Sequence, residues 1–409
     1  MPTLLQINVV VNTGSTGHIA EEICQLSIQK GWKSYIAYGR NKRPSESNLI
    51  KVGTDWDIIK HVIQARLFDK MGFGSKRPTI ELIRCIKKLN PDIIHLHNIH
   101  GYYINIEILF NYLAIAKIPV VWTLHDCWAL TGHCAYFDFV GCNKWVTGCF
   151  SCHQKKYYPS RLWIDNSKIN YFRKSKLFNS VNNLTIVPVS MWLQNIVNQS
   201  YLKKYQSQVI NNGVDVNTFF PQINYKVIRN KLGIGNQFMI LGVSSIWEPR
   251  KGLSDFVKLS KLIDQNSIIV LVGLNKKQIK NLPSNIIGVN RTENINQLAE
   301  IYSAADLYLN LTYEDNFPTT NIESLACGTP ILTYDTGGSI EAVSSETGFI
   351  VDKGDYPGIM NVINIVKEKG KSSYSKACRD RAEKFYNKDD RYMEYIKLYN
   401  HLLNVEQKK

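Results

Sequence analysis

The sequence lacks any apolar run long enough to cross a membrane. Its longest apolar stretches, such as 267–274, have the length of a β-strand, whereas a membrane-spanning helix needs about 20 apolar residues. The opening TLLQINVVVN reads as a first strand and has no basic segment before it, so we expect no signal peptide. These two absences predict a cytoplasmic protein without a membrane span of its own.

Cysteine and acidic residues are also scarce. Nine cysteines in 409 residues are too few for a disulfide framework and favour a reducing compartment. The 34 acidic residues are outnumbered by 49 basic ones, which gives a formal charge of +15. Such a charge favours anionic partners, and nucleotide phosphates, anionic lipid and nucleic acid all satisfy it.

What the sequence does contain is an alternation of strand-like and helix-like runs, repeated in both halves. Strands are predicted at 4–11, 34–37, 92–96, 120–124 and 184–189, and again at 238–243, 267–272, 307–311 and 331–334. Helices are predicted at 79–89, 253–262, 295–304, 320–326 and 389–403. This pattern predicts an α/β protein with two Rossmann-like, doubly wound domains, whose ligands lie beyond the carboxyl ends of the strands.

The expected domain boundaries follow from turn residues in the segment VINNGVDVNTFFP, 209–221. The first domain is predicted at 1–207, with a cysteine-rich insert at 127–152, and the second at 208–386. The C-terminal helix, within 387–409, is expected to pack back on the first domain.

The most informative segment is YEDNFPTTNIESLACGTPIL, 313–332. It follows a predicted strand, and carboxylates at Asp315 and Glu323 flank a turn and a helix start. Free amides at a helix start attract anions, and carboxylates accept hydrogen bonds from hydroxyls, so the segment suits a nucleotide sugar. The turn and helix start comprise Asn316, Phe317, Pro318, Thr319 and Thr320.

Two features of that segment also have ordinary structural explanations. Thr320 with Glu323 three residues later matches a capping box. Gly328 matches a glycine that ends a helix. Only the whole string in its position favours ligand binding.

This string resembles the donor-binding segment of family 4 glycosyltransferases, a retaining family with the GT-B fold. The usual pattern is a Glu, seven residues, a second Glu, then A-x-A/C-G-x-P. The matching residues are Glu323, Ala326, Cys327, Gly328 and Pro330. Asp315 occupies the first carboxylate position with Glu314 directly before it, so either can contact the sugar.

Other segments resemble the same family in the expected order. WEPRKGL implies Arg250 and Lys251 on the donor diphosphate, although the usual earlier arginine is absent from 243–245. NTGSTGHIAEEI resembles the glycine-rich loop facing the donor phosphates, which implies that Gly14 and Gly17 bind the donor and that His18 lies on the acceptor side. Gly14 and Gly17 alone are equally explained by a tight strand-to-helix turn.

The histidine segments complete the resemblance. VVWTLHDCWAL implies that His125 lies beside the reacting sugar, while Asp126 orients it or binds the acceptor. HLHNIHGYY places His97 and His100 on the acceptor side and is similar to transferases of bacterial capsule or exopolysaccharide of the colanic-acid type. Alternation along a strand also lets His95 and His97 share a metal, although packing or cleft lining explains them as well.

The resemblance implies a retaining hexosyltransferase with its active site in an interdomain cleft. The donor is a UDP- or GDP-sugar, and the acceptor is a glycan or an undecaprenyl-linked saccharide of bacterial surface polysaccharide. The resemblance also implies attack on the face that the nucleotide leaves, with the departing phosphate helping to take the acceptor proton. With Lys251, Arg250 and backbone amides on the diphosphate, it implies that catalysis requires no metal cofactor. The alternatives are a nucleotide-sugar epimerase, a non-catalytic nucleotide-sugar sensor or scaffold, and a metal-dependent hydrolase built on the histidines.

Two remaining features predict partners. Cys134, Cys142, Cys149 and Cys152 have spacing that permits a structural zinc in the insert. The segment 155–176 interleaves seven basic residues with aromatic ones, which suits the inner face of an anionic plasma membrane. A solvated helix face explains that segment as well, and no nucleic-acid-binding signature accompanies it, so nucleic acid is not an expected partner.

Overall fold

The computed structural model describes residues 1–406 and divides into two compact units. The first comprises Met1–Asn211 together with the described residues from Tyr392 onward, and the second comprises Asn212–Arg391. Residues 407–409, the end of the segment expected at 387–409, lie outside the described residues. Within residues 1–406, no helix combines the length and apolar character that a bilayer crossing requires.

The first unit contains a six-stranded parallel sheet in the order β3-β2-β1-β4-β5-β6. Its strands are β1 (Thr3–Asn8), β2 (Lys33–Tyr38), β3 (Asn48–Lys51), β4 (Ile93–Leu96), β5 (Val120–Leu124) and β6 (Leu184–Pro188). Its helices are α1 (Gly14–Gln29), α2 (Asp55–Phe68), α3 (Lys76–Leu89), α4 (Ile106–Ile115), α5 (Ser167–Phe178) and α6 (Met191–Gln199). The strands β4, β5 and β6 are buried at every position, because helices cover both faces of a parallel sheet.

The second unit repeats this topology in the order β12-β11-β10-β7-β8-β9. Its strands are β7 (Phe238–Val243), β8 (Ser267–Val272), β9 (Ile286–Val289), β10 (Leu307–Asn310), β11 (Ile331–Tyr334) and β12 (Gly348–Val351). Its helices are α7 (Tyr225–Lys231), α8 (Leu253–Leu259), α9 (Lys276–Lys280), α10 (Ile295–Ala304), α11 (Thr319–Ala326), α12 (Tyr356–Lys369) and α13 (Ser372–Tyr386). Both sheets thus have the 3-2-1-4-5-6 order of the Rossmann fold, and the predicted fold class is confirmed.

The last helix, α14 (Lys388–Glu406), begins in the second unit and continues into the first. Its apolar side chains complete the first unit's core, where Tyr395 and Tyr399 pack with Leu4 and Ile93 of β1 and β4. Polar contacts anchor the same helix, because the Tyr399 hydroxyl lies 2.6 Å from His95 Nδ1. The first unit is therefore built from both ends of the sequence.

Candidate active site

In the second unit, the strand order reverses between β7 and β10, which is where Rossmann folds bind ligands. The loop after β7 carries Lys251, and the loop after β10 carries Asp315. The Lys251 Nζ lies 2.5 Å from Asp315 Oδ2, and both side chains are about one-fifth exposed, at 21% and 17%. Arg250 donates from Nη1 to the Glu314 carbonyl at 3.3 Å. The switch point therefore brings together the two basic residues and the first carboxylate named from the sequence.

Two glycines permit neighbouring loops to approach the loop after β10: Gly252 at the start of α8, and Gly337 in the loop after β11. Gly252 has a φ of +76°, and a Cβ there would lie 2.1 Å from the Leu311 carbonyl oxygen. Gly337 has a φ of +50°, and a Cβ there would lie 2.0 Å from the Asp315 carbonyl oxygen. Because any larger residue would collide with backbone, glycine is required at both positions.

Helix α11 begins at Thr319, and its N-cap is Pro318 without a side-chain capping bond. The capping-box interpretation of Thr320 with Glu323 is therefore wrong, since Thr320 is already inside the helix and Glu323 has other partners. The Tyr302 hydroxyl donates to Glu323 Oε2 at 3.0 Å. Burial raises the pKa of Glu323, although hydrogen bonds from Tyr302 and Thr319 oppose the rise. The helix end at Gly328, with φ +69°, is confirmed.

Burial and a hydrogen bond from a distant residue stabilise the turn that precedes α11. Asn316 and Phe317 are buried, and the Phe317 carbonyl accepts a hydrogen bond from Asn212 Nδ2 at 3.0 Å. Glu314 is only 4% exposed, whereas the Asp315 side chain remains accessible. This difference in exposure favours Asp315 as the carboxylate that can meet a ligand.

Sequence reasoning missed Asp255, which lies in the first turn of α8 directly after the Arg250–Lys251 loop. Its buried carboxylate accepts hydrogen bonds from three tyrosine hydroxyls: Tyr313 at 2.7 Å, Tyr334 at 2.8 Å and Tyr356 at 2.9 Å. Tyr313 immediately precedes Glu314 and Asp315. The cluster therefore links the loop after β7 to the loop after β10. The signal in the sequence was weak: Asp255 is the one acidic residue on the otherwise apolar buried side of α8.

In the first unit, the equivalent switch point lies between β1 and β4. Gly14 has a φ of +61°, and Gly17 packs against the loop, where a Cβ would lie 3.1 Å from Val10 Cγ2. His18 Nδ1 lies 2.8 Å from Asn12 Oδ1. Burial, followed by the charge of Arg43, lowers the pKa of His18, so this histidine is neutral at pH 7.

His97 and His125 follow β4 and β5 and meet at the same sheet edge. His97 Nδ1 lies 3.1 Å from His125 Nε2, and His97 Nε2 lies 2.9 Å from Gln6 Oε1. Burial lowers the pKa of His125 to about 4, so its ring is neutral at pH 7. His95 instead contacts Thr123 Oγ1 at 2.8 Å and Tyr399. Since hydrogen bonds occupy both ring nitrogens of His95 and His97, the shared-metal interpretation of this pair is not supported.

His100 forms a separate relay with Asp126 and Tyr158. His100 Nε2 lies 2.7 Å from Asp126 Oδ2, and His100 Nδ1 lies 2.8 Å from the Tyr158 hydroxyl. Burial alone would raise the pKa of Asp126, but attraction to His100 and hydrogen bonds from His100 and Trp128 outweigh it and lower the pKa. Asp126 therefore contacts His100 directly, and its charge also acts on His125, where it opposes the fall in pKa that burial causes.

The cysteine-rich insert brings its thiols close together. Cys134 and Cys152 share a side-chain hydrogen bond, which lowers the pKa of Cys152 to about 6. Cys142 and Cys149 lie near enough to oppose a charge on Cys134. Within residues 1–406, however, no three His, Cys, Asp or Glu side chains are arranged to hold a metal ion. The geometry therefore gives the predicted zinc site no direct support.

The basic segment 155–176 differs from the expectation in three members. Lys174 is buried and donates to the Trp128 carbonyl at 2.7 Å, Arg161 is buried beside Asp165, and Tyr171 is buried. The exposed members are Lys155, Lys156, Lys168, Lys176, Tyr157, Tyr158, Trp163 and Phe172. The segment is thus partly a structural core and partly an exposed basic and aromatic surface.

Comparison with known proteins accounts for both units. The model of Glycosyltransferase Family 4 matches residues 17–218, and the model of glycosyl transferases group 1 matches residues 224–385. The HepE structure from Anabaena in complex with UDP-glucose has a TM-score of 0.68 at 13% identity, with coverage of 98% of this chain and 99% of that one. At that identity the likeness concerns the fold alone.

Two curated relatives match part of the chain. One carries the name of a colanic acid biosynthesis glycosyl transferase, WcaC of Escherichia coli K12, and is 30% identical over 230 residues, 53% of this chain and 55% of that protein. The other, an Escherichia coli UDP-Gal:α-D-GlcNAc-diphosphoundecaprenol α-1,3-galactosyltransferase, is 25% identical over 47% of this chain and 53% of that protein. The chain thus spans about half the length of the curated relatives it matches. Because the two family models together cover most of the sequence and both sheets have the Rossmann order, the chain belongs to the family 4 glycosyltransferases of the GT-B fold.

Proposed function

We propose that this protein is a retaining glycosyltransferase of bacterial surface polysaccharide biosynthesis. It transfers a hexose-type sugar from a UDP- or GDP-sugar to a glycan or undecaprenyl-linked saccharide. The observation that carries the proposal is the pairing of Lys251 with Asp315 at the switch point, beside the start of α11 and Glu323. The names of the two relatives and the UDP-glucose bound to HepE support the choice of donor and acceptor class.

The donor diphosphate would be held by positive groups of the second unit. Lys251 and Arg250 supply charges, and the free amides at the start of α11 supply oriented dipoles. Such preorganised groups stabilise negative charge as it develops on the leaving diphosphate. Because these groups would neutralise the diphosphate, catalysis would require no divalent metal. Asp315 and Glu323 would accept hydrogen bonds from sugar hydroxyls.

The reaction exchanges one bond at the anomeric carbon for another. The bond from that carbon to the donor phosphate oxygen breaks, and a bond to the acceptor oxygen forms on the same face. The acceptor proton passes to the departing phosphate oxygen. His125 would hydrogen-bond the transferred sugar as a neutral imidazole, consistent with the low pKa that burial gives it.

The first test is nucleotide release from a panel of UDP-, GDP- and ADP-sugars in the presence of EDTA. We expect release from one UDP- or GDP-sugar, lost in Glu323→Ala and Lys251→Ala and retained in Lys261→Ala, an exposed lysine elsewhere in the second unit. No release and no binding of any nucleotide sugar would refute the proposal. Product analysis by NMR then tests retention at the anomeric centre.

One observation favours a second candidate, a non-catalytic nucleotide-sugar sensor. The segment 243–245 reads Val-Ser-Ser, where related enzymes carry an additional arginine for the diphosphate. A sensor would bind a nucleotide sugar without turnover, whereas an epimerase would convert it without a new glycosidic bond. The same donor panel therefore separates all three.

The proposed site of action is the inner face of the plasma membrane. In the first unit, α2 exposes Trp56, Ile59 and Ile63 at helical spacing, and Trp163 is 78% exposed. The backbone amide of Leu162 donates to the carbonyl of Arg66 in the last turn of α2 at 2.8 Å. Exposed aromatic and aliphatic side chains beside Lys60, Lys155, Lys156 and Lys168 match the interface of an anionic bilayer.

Co-sedimentation with phosphatidylglycerol vesicles tests this surface. We expect binding that weakens with salt and falls about tenfold in the double variant Trp56→Ser/Trp163→Ser, since each ring contributes apolar burial. Ile115→Ser, at a 79% exposed position on α4, is the matched control and should bind as wild type does. Equal binding by the double variant, or none by wild type at low salt, would contradict the proposal.

A structural zinc in the insert stays a prediction. Tetrahedral coordination would need Cys134, Cys142, Cys149 and Cys152 to approach one point more closely than they do here. Elemental analysis of protein purified without chelator is expected to give about one zinc per chain. A value far below one would remove zinc from this loop.

A further inference from the structure

A cavity of about 590 Å³ opens at the edge of the second unit's sheet that lies opposite the candidate donor site. Asp306, which lines it, lies immediately before β10, whereas Asp315 lies in the loop that follows the same strand. A strand of four residues spans about 13 Å, so the cavity is separate from the candidate donor site. Its walls come from α7, the end of α10, the residues after α11 and the start of α13.

The cavity carries an excess of positive charge. Its lining contains Lys226, Arg229 and Lys371 against the single carboxylate of Asp306. The Arg229 guanidinium is already engaged, since Nη1 contacts Asp306 Oδ2 at 3.3 Å and the Ala304 carbonyl at 2.8 Å. That pair is internally neutral, so the two lysines supply the net charge that faces the cavity.

Lys371 is the better placed of the two. Its Nζ donates to the Ser303 carbonyl at 2.6 Å, which uses one of the three donors of an ammonium group. Burial lowers the pKa of Lys371 to about 8, so the group stays mostly charged at pH 7 and gains from a nearby anion. Asp306 raises the pKa of Lys371 and so offsets part of the effect of burial, but it is shared with Arg229. A bound phosphate would add the negative charge that balances this buried lysine.

The rest of the wall is rich in hydrogen-bonding groups and poor in large apolar ones. Amide and hydroxyl side chains come from Asn230, Asn236, Ser372 and Ser375, and Tyr225 adds a ring. Such a surface suits many hydroxyl groups rather than a hydrocarbon. Its volume lies within the 300–1,000 Å³ that is typical of small-ligand sites.

We propose that this cavity binds a small phosphorylated saccharide. The phosphate would lie between Lys371 and Lys226, and the saccharide hydroxyls would meet the asparagine and serine side chains. This site does not depend on the transferase proposal, because its charged residues, Lys226, Arg229, Asp306 and Lys371, have no role in the candidate donor site.

Isothermal titration calorimetry with glucose 1-phosphate, glucose 6-phosphate, glucose and inorganic phosphate tests the site in the full chain. At least one sugar phosphate should bind with a Kd below about 1 mM and more tightly than inorganic phosphate or glucose. Lys226→Glu should weaken binding at least tenfold, and Asn236→Trp should block the cavity. Both positions are exposed, so both variants should fold, and Lys261→Glu is the matched control.

Competition with UDP distinguishes this cavity from the donor site. Binding of the sugar phosphate should persist at saturating UDP and in Lys251→Ala. The inference is overturned if UDP displaces the probe, if inorganic phosphate binds as tightly as both sugar phosphates, or if Lys226→Glu and Asn236→Trp bind like wild type. Absence of heat with every probe at millimolar concentration would overturn it as well.

Discussion

Replacing Tyr334 with phenylalanine tests the cluster in which three tyrosine hydroxyls surround Asp255. The substitution removes one donor, the 2.8 Å hydrogen bond to Asp255 Oδ2, and keeps the ring. The ring packs on Tyr313 with centroids 5.5 Å apart, and phenylalanine preserves that contact. Asp255 keeps the hydrogen bonds from Tyr313 and Tyr356.

The expected cost follows from the burial of both partners. Tyr334 is 0% exposed and Asp255 is 1% exposed, so water cannot replace the missing donor. A hydrogen bond to a charged group contributes about 1.5–3 kcal/mol, and we expect the free energy of unfolding of the second unit to fall by about 2 kcal/mol. For a unit of 180 residues, Asn212–Arg391, that loss lowers Tm by about 4–8 °C.

Calorimetry of wild type and variant gives the change in Tm, and hydrogen exchange of peptides from β11 and α8 assigns it to the second unit. Tyr225→Phe, at an exposed tyrosine of the same unit, is the control and should change stability by less than about 0.5 kcal/mol. A Tyr334→Phe variant as stable as that control would refute the view that Asp255 anchors the two loops.

Three further predictions concern the loops and side chains of the candidate site. Glu323→Gln should increase the free energy of unfolding at pH 8 and not at pH 4. Burial raises the pKa of Glu323, so its carboxylate destabilises the folded state only at pH values above the pKa of the unfolded state. Equal denaturation midpoints of variant and wild type at pH 8 would contradict this prediction. Gly252→Ala should destabilise the second unit by more than about 2 kcal/mol, because the new Cβ would collide with the Leu311 carbonyl oxygen. Gly235→Ala should not, since there is open space around its Cβ position. Urea denaturation measures the free energy of unfolding of both variants. His125→Ala should lower kcat about 10- to 100-fold, and because the wild-type pKa is about 4, the wild-type rate should show no titration of this group between pH 6 and 8.

The interior of each sheet was predictable because burial on both faces leaves a continuous apolar run. The predicted strands at 120–124, 238–243, 267–272 and 331–334 have the observed bounds. Three strands were missed, β3, β9 and β12, and each lies at the edge of its sheet. Half-exposed edge strands carry both polar and apolar side chains. The hydropathy pattern of such a strand therefore resembles that of a loop.

The candidate site was predictable only where a motif names both residue and position. Asp315 was predicted from its place between a strand and a helix start, and Lys251 from the family resemblance. The strand order explains why these residues, 64 positions apart, meet. Asp255 and Tyr158 were missed because their importance lies in partners from distant segments. No local pattern indicates that three tyrosines at 313, 334 and 356 converge on one carboxylate.

The passage of α14 from one unit to the other has a consequence for how the protein is made. Tyr395 and Tyr399 are synthesised after the whole of the second unit, yet they pack in a core with Leu4 and Ile93 of β1 and β4, which are synthesised before it. At about 5–20 residues per second, the intervening 180 residues delay that step by roughly 10–40 s. During this interval, the apolar surface of the nascent first unit that these tyrosines later cover remains exposed to solvent.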